Sequence, residues 1–258
     1  MRLLLIGDVF GTMGRAIVKE ILPKIRKELG INLVVVNGEN IAHGKGIIEK
    51  YYKELISQNV DVVTLGNHAF SNKNVYNFID DAKCLIRPAN FKEGTPGKEY
   101  LTVNYNGTTI TFLQVLGKVF MNEEYSNPFH KAQEILDNVE SDIYVCDIHG
   151  EATSEKVAFG LHFDGKINII TGTHTHVQTN DARVLPNGTF YLTDIGMCGA
   201  LNGVIGVDPE PVIHQYLTGE HIRHIPMDKG KSQFNAVMVE IDERTKKITK
   251  YQLINLIQ

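Results

Sequence analysis

The chain has 258 residues, of which 43% are hydrophobic and 22% are charged, and its formal net charge is -4. This composition is typical of a globular protein, and the lack of a basic block argues against electrostatic binding to duplex DNA. No apolar run approaches the roughly 18–20 residues that span a bilayer, and the N-terminal run is too short for a secretory signal. The three cysteines form no Cys-x-x-Cys motif, so we expect reduced thiols in a cytoplasmic protein.

Strands and helices alternate in the first third of the chain. The predicted elements are strands at 3–7, 33–36 and 60–65, and helices at 17–29, 47–57 and 75–81. Pro23 is expected to kink or break the first of these helices. The alternation predicts an α/β sandwich with a largely parallel central sheet.

The pattern changes after about residue 90. Asn106-Gly107 predicts a hairpin between two strands, and the aperiodic stretch 117–130 is interpreted as a loop or lid. Further elements are predicted as helices at 131–139 and 153–162, strands at 143–148, 167–171, 182–185 and 189–193, and two antiparallel strands at 234–241 and 248–256. We therefore expect one domain over 1–258 with a small cap or lid segment at about 91–130.

Five predicted apolar strands end in residues that can bind metal ions. These residues are Asp8; Glu39 with Asn40; Asn67 with His68; His149; and His174 with His176. Sites in open α/β sheets form at the carboxyl ends of strands, and alternate residues of an extended chain point the same way. The side chains are therefore expected to converge.

The donor set comprises three imidazoles, two carboxylates and one or two amide oxygens. It is too large for one ordinary metal ion and suits two borderline cations such as manganese, iron or zinc. Two such ions can clamp the attacking and leaving oxygens of a phosphoryl displacement. The pattern therefore favours a binuclear hydrolase.

Several of these motifs resemble those of known enzymes. Gly66-Asn67-His68 and the stretch 172–176 are similar to the Gly-Asn-His and Gly-His-x-His signatures of calcineurin-like metallophosphoesterases. The fuller set resembles the bacterial YmdB-like phosphodiesterases, in family order over residues 3 to 200, and consists of residues 7–11, 37–40, 66–70, 147–156 and 171–179.

The resemblance implies a four-layer α/β/β/α metallophosphoesterase core and a division of roles. One metal would be held by Asp8, Glu39, Asn40 and His176, and the other by Asn67, His149 and His174, with Glu39 bridging. His68 would be the catalytic acid that faces the leaving-group oxygen.

Two positions depart from the wider superfamily. Phe10 stands where the Asp-x-His motif has histidine, and Glu39 stands where the bridging aspartate is usual. The first metal therefore loses an imidazole and gains the Asn40 oxygen, and this oxygen-rich set favours manganese or iron, with zinc as the alternative.

The resemblance implies hydrolysis of cyclic nucleotide phosphodiesters, with 2′,3′-cyclic nucleotides favoured, by a metal-bridging hydroxide. Two alternatives stay open: a metal-bound regulatory module that binds RNA, a nucleotide or a protein with little turnover, and a phosphomonoesterase or nuclease with the same centre. A homo-oligomer also stays open, and no residue is assigned to substrate binding.

Simpler interpretations exist for single residues. Asp8 and Asn67 could cap helices, and His68 could be a core histidine. The other histidines are expected to be surface or structural residues: His43, His130, His162, His214, His221 and His224. Glu151 is a candidate partner of His149.

Overall fold

The structure is a computed structural model that describes residues 1–121 and 125–258. The first half contains β1 (Arg2–Val9), α1 (Gly11–Glu28), β2 (Leu33–Asn37), α2 (Glu49–Ser57), β3 (Val62–Thr64), a 3₁₀ turn (Lys73–Asn77), β4 (Tyr100–Tyr105) and β5 (Thr108–Leu116). The second half contains α3 (Pro128–Asn138), β6 (Ile143–His149), α4 (Thr153–His162), β7 (Ile169–Thr173), β8 (Arg183–Val184), β9 (Phe190–Leu192), β10 (Met197–Ala200), α5 (Pro209–Thr218), β11 (Ser232–Ile241) and β12 (Ile248–Ile257).

Within the described residues these strands form two six-stranded sheets. The first has the order β12-β11-β10-β1-β2-β3, and the second has the order β4-β5-β6-β7-β9-β8. β1 runs parallel to β2 and β10 and antiparallel to β11. β5, β6, β7 and β9 are mutually parallel, so their carboxyl ends lie at one edge of the second sheet.

Burial of the two faces of β1 shows how the layers stack. Leu4 and Ile6 pack with α1 and α2, whereas Leu3 and Leu5 pack against the second sheet. A strand buried on both faces is expected to be a continuous apolar run. Burial of each leucine side chain contributes about 1.5–3 kcal/mol to the stability of the fold. On the far side, α3 and α4 cover the second sheet through residues such as Phe159. The predicted four-layer α/β/β/α sandwich is therefore confirmed.

Local predictions failed at three places. α1 continues through Pro23, which faces solvent while Leu22 and Ile25 are buried, so packing on the sheet sustains the helix and the predicted break is wrong. The helix predicted at 75–81 is instead the 3₁₀ turn, and β10 and α5 were not predicted. β10 has four residues, too few for a recognisable period.

The predicted cap or lid segment is only partly described. Residues 100–116 belong to β4 and β5 of the second sheet, and β5 is almost wholly buried. A lid formed by the rest of 91–130 stays a prediction, and residues 122–124 lie outside the described part. Across the described ranges, no helix has the length and apolar character needed to cross a lipid bilayer.

Candidate metal centre

The seven predicted metal ligands lie in one connected cluster, which we call the floor. It consists of Asp8, Glu39, Asn40, Asn67, His149, His174 and His176. Each residue ends or closely follows one of the strands β1, β2, β3, β6 and β7. The first three strands belong to one sheet and the last two to the other, so the floor lies where the carboxyl ends of both sheets meet.

His149 Nε2 is the point on which most donor atoms converge. It lies 2.9 Å from Asn67 Oδ1, 3.1 Å from His174 Nδ1 and 3.2 Å from Glu39 Oε1. Atoms held about 2.1 Å from one ion at right angles lie about 3.0 Å apart. The separations of the other three atoms from His149 Nε2 are therefore compatible with ligands of a single ion.

The orientation of His149 is fixed from behind. Its Nδ1 lies 2.8 Å from Thr173 Oγ1, and that hydroxyl donates to the Asp147 carboxylate at 2.9 and 3.0 Å. Burial raises the pKa of Asp147 to about 6, so the carboxylate accepts above that pH. A hydroxyl has one hydrogen, so Thr173 must accept from Nδ1–H, and Nε2 is directed at the floor.

His176 is fixed in the same way on the other side of the floor. Its Nδ1 lies 3.1 Å from the Ile205 carbonyl oxygen, so Nε2 faces Asn40. Asn40 Nδ2 lies 3.1 Å from both His176 Nε2 and Glu39 Oε1. Rotation of the amide exchanges nitrogen with oxygen and would place Oδ1 beside the same two atoms.

Asp8 carries a buried atom that the protein leaves unsatisfied. Its Oδ2 accepts from the backbone N–H of His174 at 3.2 Å, whereas Oδ1 is buried with no hydrogen-bond partner among the described residues. A buried carboxylate oxygen without a partner is costly unless a cation neutralises it. Asp8 is also not a helix cap, because the N-cap of α1 is Phe10.

The floor concentrates negative charge in a buried place. Burial raises the pKa of Asp8 well above its usual range. Burial alone would also raise the pKa of Glu39, but the charge of His149 and its hydrogen bond outweigh that effect and lower this pKa to about 2. Burial opposes protonation of His149, yet Glu39, Asp8 and Asp147 raise its pKa to about 9. The shifts of Glu39 and His149 show that this buried carboxylate and the imidazolium stabilise each other in the floor.

The two histidines after β7 lie in a strained loop. His174 has φ 104° and His176 has φ 65°, a region that side-chain-bearing residues enter at a cost of roughly 1–3 kcal/mol each. Between them, Thr175 donates from its N–H and its hydroxyl to Asp194 Oδ2 at 3.0 and 2.8 Å. The ammonium of Lys156 lies 2.8 Å from the same oxygen, and both partners are almost completely buried. This buried pair holds the loop in its strained form.

Gly66 permits the close approach of the floor residues. A Cβ atom at this position would lie 2.1 Å from Glu39 Oε2 and 2.6 Å from His149 Nε2. Glycine is therefore required here because backbone and ligands meet without room for a methyl group.

His68 lies beside the floor and lines the cavity above it. Its backbone N–H donates to Glu39 Oε2 at 3.1 Å, and its Nδ1 lies 3.2 Å from Ser71 Oγ. The first contact places His68 next to the floor residue Glu39.

Glu151 contacts a different histidine from the one predicted. Its Oε2 lies 3.2 Å from His174 Nε2, not beside His149. The carboxylate therefore orients the ring whose Nδ1 faces the floor. Strand register explains the difference, because His149 pairs with Thr173 at the end of β7 and Thr173 fills the place behind it.

A cavity of ≈ 720 Å³ opens above the floor, a volume within the range of small-molecule sites. The exposed part of its lining that we call the outer wall consists of His43, Lys45, Tyr216, His221, Arg223 and His224. Its three histidines, His43, His221 and His224, are exposed, as predicted, and they line the cavity. His221, Arg223 and His224 form a locally basic stretch, but the stretch 219–226 has no periodicity, so no local pattern places it near the site.

The residues fit the metal ions that the fold family implies. Glu39, His149 and His174 each offer an atom within 4.8 Å of the others, and the unsatisfied Asp8 Oδ1 adds a buried anionic oxygen. Carboxylate, amide and imidazole donors together suit transition-metal ions.

Comparison with known proteins agrees with this site. The chain is 43% identical over 256 residues to a 2′,3′-cyclic-nucleotide 2′-phosphodiesterase of Bacillus subtilis. The alignment covers 98% of this chain and 96% of the relative. The crystal structure of a phosphatase from Mycoplasma pneumoniae superposes with a TM-score of 0.95 at 36% identity, covering 100% of this chain and 93% of that one.

More distant structures share the fold alone. A Haemophilus influenzae NAD nucleotidase superposes with a TM-score of 0.58 at 15% identity, covering 98% of this chain and 55% of that one. The family model described as YmdB-like protein matches residues 4–254, nearly the full length. The chain therefore belongs to the YmdB-like protein family, whose fold is of the metallophosphoesterase type.

Proposed function

We propose that the protein is a metal-dependent phosphodiesterase that hydrolyses cyclic nucleotide phosphodiesters, with 2′,3′-cyclic nucleotides favoured. The observation that carries this proposal is the convergence of Asn67, His174 and Glu39 donor atoms within 3.2 Å of His149 Nε2 beneath an open cavity. The activity named for the Bacillus subtilis relative supports the substrate class.

The seven floor residues would hold two ions. Asp8, Glu39, Asn40 and His176 are assigned to one and Asn67, His149 and His174 to the other, with Glu39 shared. When bound, the ions supply charge stabilisation at the phosphoryl group and lower the pKa of bound water. The oxygen-rich first set favours iron or manganese over zinc.

The protein residues provide orientation and a proton. Thr173 and Ile205 turn the Nε2 atoms of His149 and His176 toward the floor, and Glu151 turns His174 Nδ1 the same way. In the proposed reaction, a water oxygen bonds to phosphorus and the water releases one proton to solvent. The bond from phosphorus to O2′ breaks, His68 gives O2′ its proton, and solvent reprotonates His68. The product is a 3′-phosphomonoester with a free 2′-hydroxyl.

We also propose that the protein works in a reducing compartment. The cysteines Cys84, Cys146 and Cys198 are free thiols, and the last two are buried. This supports the expectation that the protein works in the cytoplasm.

The decisive test is a panel of 2′,3′- and 3′,5′-cyclic nucleotides, linear diesters and monoesters, assayed with manganese, iron and zinc. The wild-type protein should hydrolyse 2′,3′-cyclic nucleotides fastest. His68→Ala should lower kcat by roughly 10²–10⁴-fold with metal content unchanged, because it removes a proton donor and no ligand.

The matched control is His130→Ala, an exposed histidine on α3 outside the cavity, which should leave kcat unchanged. Preference for monoesters or linear diesters would instead identify a phosphomonoesterase or nuclease. Two bound ions with no turnover of any ester would identify a regulatory binding module.

A further inference from the structure

Phe10 lies between two loops that border the cavity. A Cβ atom on Gly44 or on Gly206 would lie 2.5 Å from its ring, and both glycines have positive φ values, +88° and +94°. The ring also meets His176 edge-on, with 5.8 Å between centroids. The residue that replaces the superfamily histidine therefore packs both loops against the metal side of the cavity.

The same aromatic ring anchors the helix that carries part of the outer wall. Phe10 packs in one buried cluster with Met197, Val207 and Val212, and Val212 belongs to α5. This contact fixes α5 over the cavity, where Tyr216 projects with 84% of its surface exposed.

The segment after α5 is pinned at several points. The Asp208 N–H donates to the Ile225 carbonyl at 2.8 Å, and the Met227 N–H donates to the Gly206 carbonyl at 3.1 Å. His224 Nε2 lies 3.2 Å from Gln215 Oε1 on α5. These hydrogen bonds therefore hold the outer wall in a defined conformation.

The charge of this wall is opposite to that of the molecule. The chain as a whole has a net charge of -4, yet the outer wall carries the cations Lys45 and Arg223 and no acidic side chain. The acids that line the cavity, Glu39 and Glu151, are already engaged by His149 and His174. The outer wall is thus a cationic surface without an anionic partner among the described residues of the cavity lining.

We infer that the outer wall binds a second phosphate of the substrate, one nucleotide unit away from the phosphate that is cleaved. The substrate would then be an oligoribonucleotide that ends in a 2′,3′-cyclic phosphate. Arg223 and Lys45 would bind the phosphate that links the last two nucleosides, and Tyr216 would stack on a base. This inference rests on the proposed function.

A mononucleotide does not explain the wall. The single phosphate of a 2′,3′-cyclic mononucleotide would be used at the floor, and its nucleoside carries no further anion. Arg223 and Lys45 would then have nothing to neutralise. A phosphate on the 5′ oxygen is the nearest anion that such a substrate can add.

The test compares three substrates in the full-length metal-loaded protein: adenosine 2′,3′-cyclic phosphate, its 5′-phosphorylated form, and the diadenylate that ends in a cyclic phosphate. The second phosphate should raise kcat/KM by about tenfold, mostly through KM, as expected for one partly exposed ionic hydrogen bond. The stacked second base of the diadenylate should add to this, and higher salt should reduce the gain.

Arg223→Gln and Lys45→Gln should reduce the ratio of kcat/KM between the second and first substrates toward one. Arg244→Gln is the matched control, because Arg244 is exposed in the turn between β11 and β12 and does not line the cavity. Tyr216→Ala should remove the added gain of the diadenylate, and Tyr216→Phe should retain it.

The outcomes separate the two proposals. Equal kcat/KM for all three substrates, or a ratio unchanged by Arg223→Gln, would overturn the subsite while the phosphodiesterase assignment stands. A gain seen in kcat with KM unchanged would also overturn it. Failure to hydrolyse any of the three, with two metals bound, would overturn the proposed function itself.

Discussion

The floor and the outer wall of the cavity are built by different means. Every floor residue is held by at least one hydrogen bond, and His149 and His176 are fixed from behind by Thr173 and Ile205. The outer wall is exposed and is tied to the protein mainly through backbone contacts and Phe10. The floor is therefore suited to hold ions in one geometry. Side chains of the outer wall, in contrast, can be substituted with little loss of stability. Under the two proposals above, chemistry and substrate choice are therefore separable in this fold.

The largest expected effect comes from breaking the buried pair below the floor. Lys156→Met leaves the Asp194 carboxylate buried without its cation, so the free energy of unfolding should fall by about 3–5 kcal/mol. Chemical denaturation measures this change. The double variant Lys156→Met with Asp194→Asn should recover part of the loss, and Lys24→Met, at an exposed ion pair, should cost less than about 1 kcal/mol. A loss as small as that of Lys24→Met would show that the pair does not support the loop.

Gly66→Ala should damage the floor directly. The added methyl group must displace Glu39 or His149, and a displacement of about 1 Å costs roughly 10²-fold in rate. Bound metal per chain and kcat measure the effect. Gly94→Ala is the control, because no atom lies within 4 Å of its added Cβ although its φ of +79° is strained; it should lower stability and spare kcat. Full metal content and full rate in the Gly66 variant would contradict the described packing.

Thr173→Val should have a smaller effect of the same kind. It removes the acceptor of His149 Nδ1–H at nearly constant volume, and loss of such a partner costs about 10–100-fold in metal affinity or activity. Competition with a chelator measures the affinity. Thr173→Ser keeps the hydroxyl and should restore it. If the valine and serine variants bind metal equally well, the hydroxyl does not orient His149.

Lys45→Gln should have the smallest effect on the protein itself. Lys45 is exposed on the outer wall and no floor contact depends on it, so the free energy of unfolding should change by less than about 0.5 kcal/mol. Metal content should equal that of the wild-type protein. A clear loss of either property would show that the floor and the wall are not independent.

The sequence predicted the floor better than the wall for a physical reason. Floor residues follow apolar strands, and the period of a strand and its carboxyl end are visible in a single sequence, as for His174 after β7. The role of Thr173 depends on the register between β6 and β7, which no local pattern encodes. Arg223 reaches the cavity through distant contacts such as that between Asp208 and Ile225, so nothing in the neighbouring sequence places it near the site.

The order of the strands has a consequence for when the candidate metal centre can form. β1 is the first strand made, yet it lies between β2 and the late strands β10 and β11. The contact of Asp8 with His174 spans 166 positions of the chain. A nascent polypeptide on the ribosome cannot assemble both halves of the centre until about two thirds of it has been synthesised. The candidate metal centre therefore forms late in synthesis, after most of the chain has been translated.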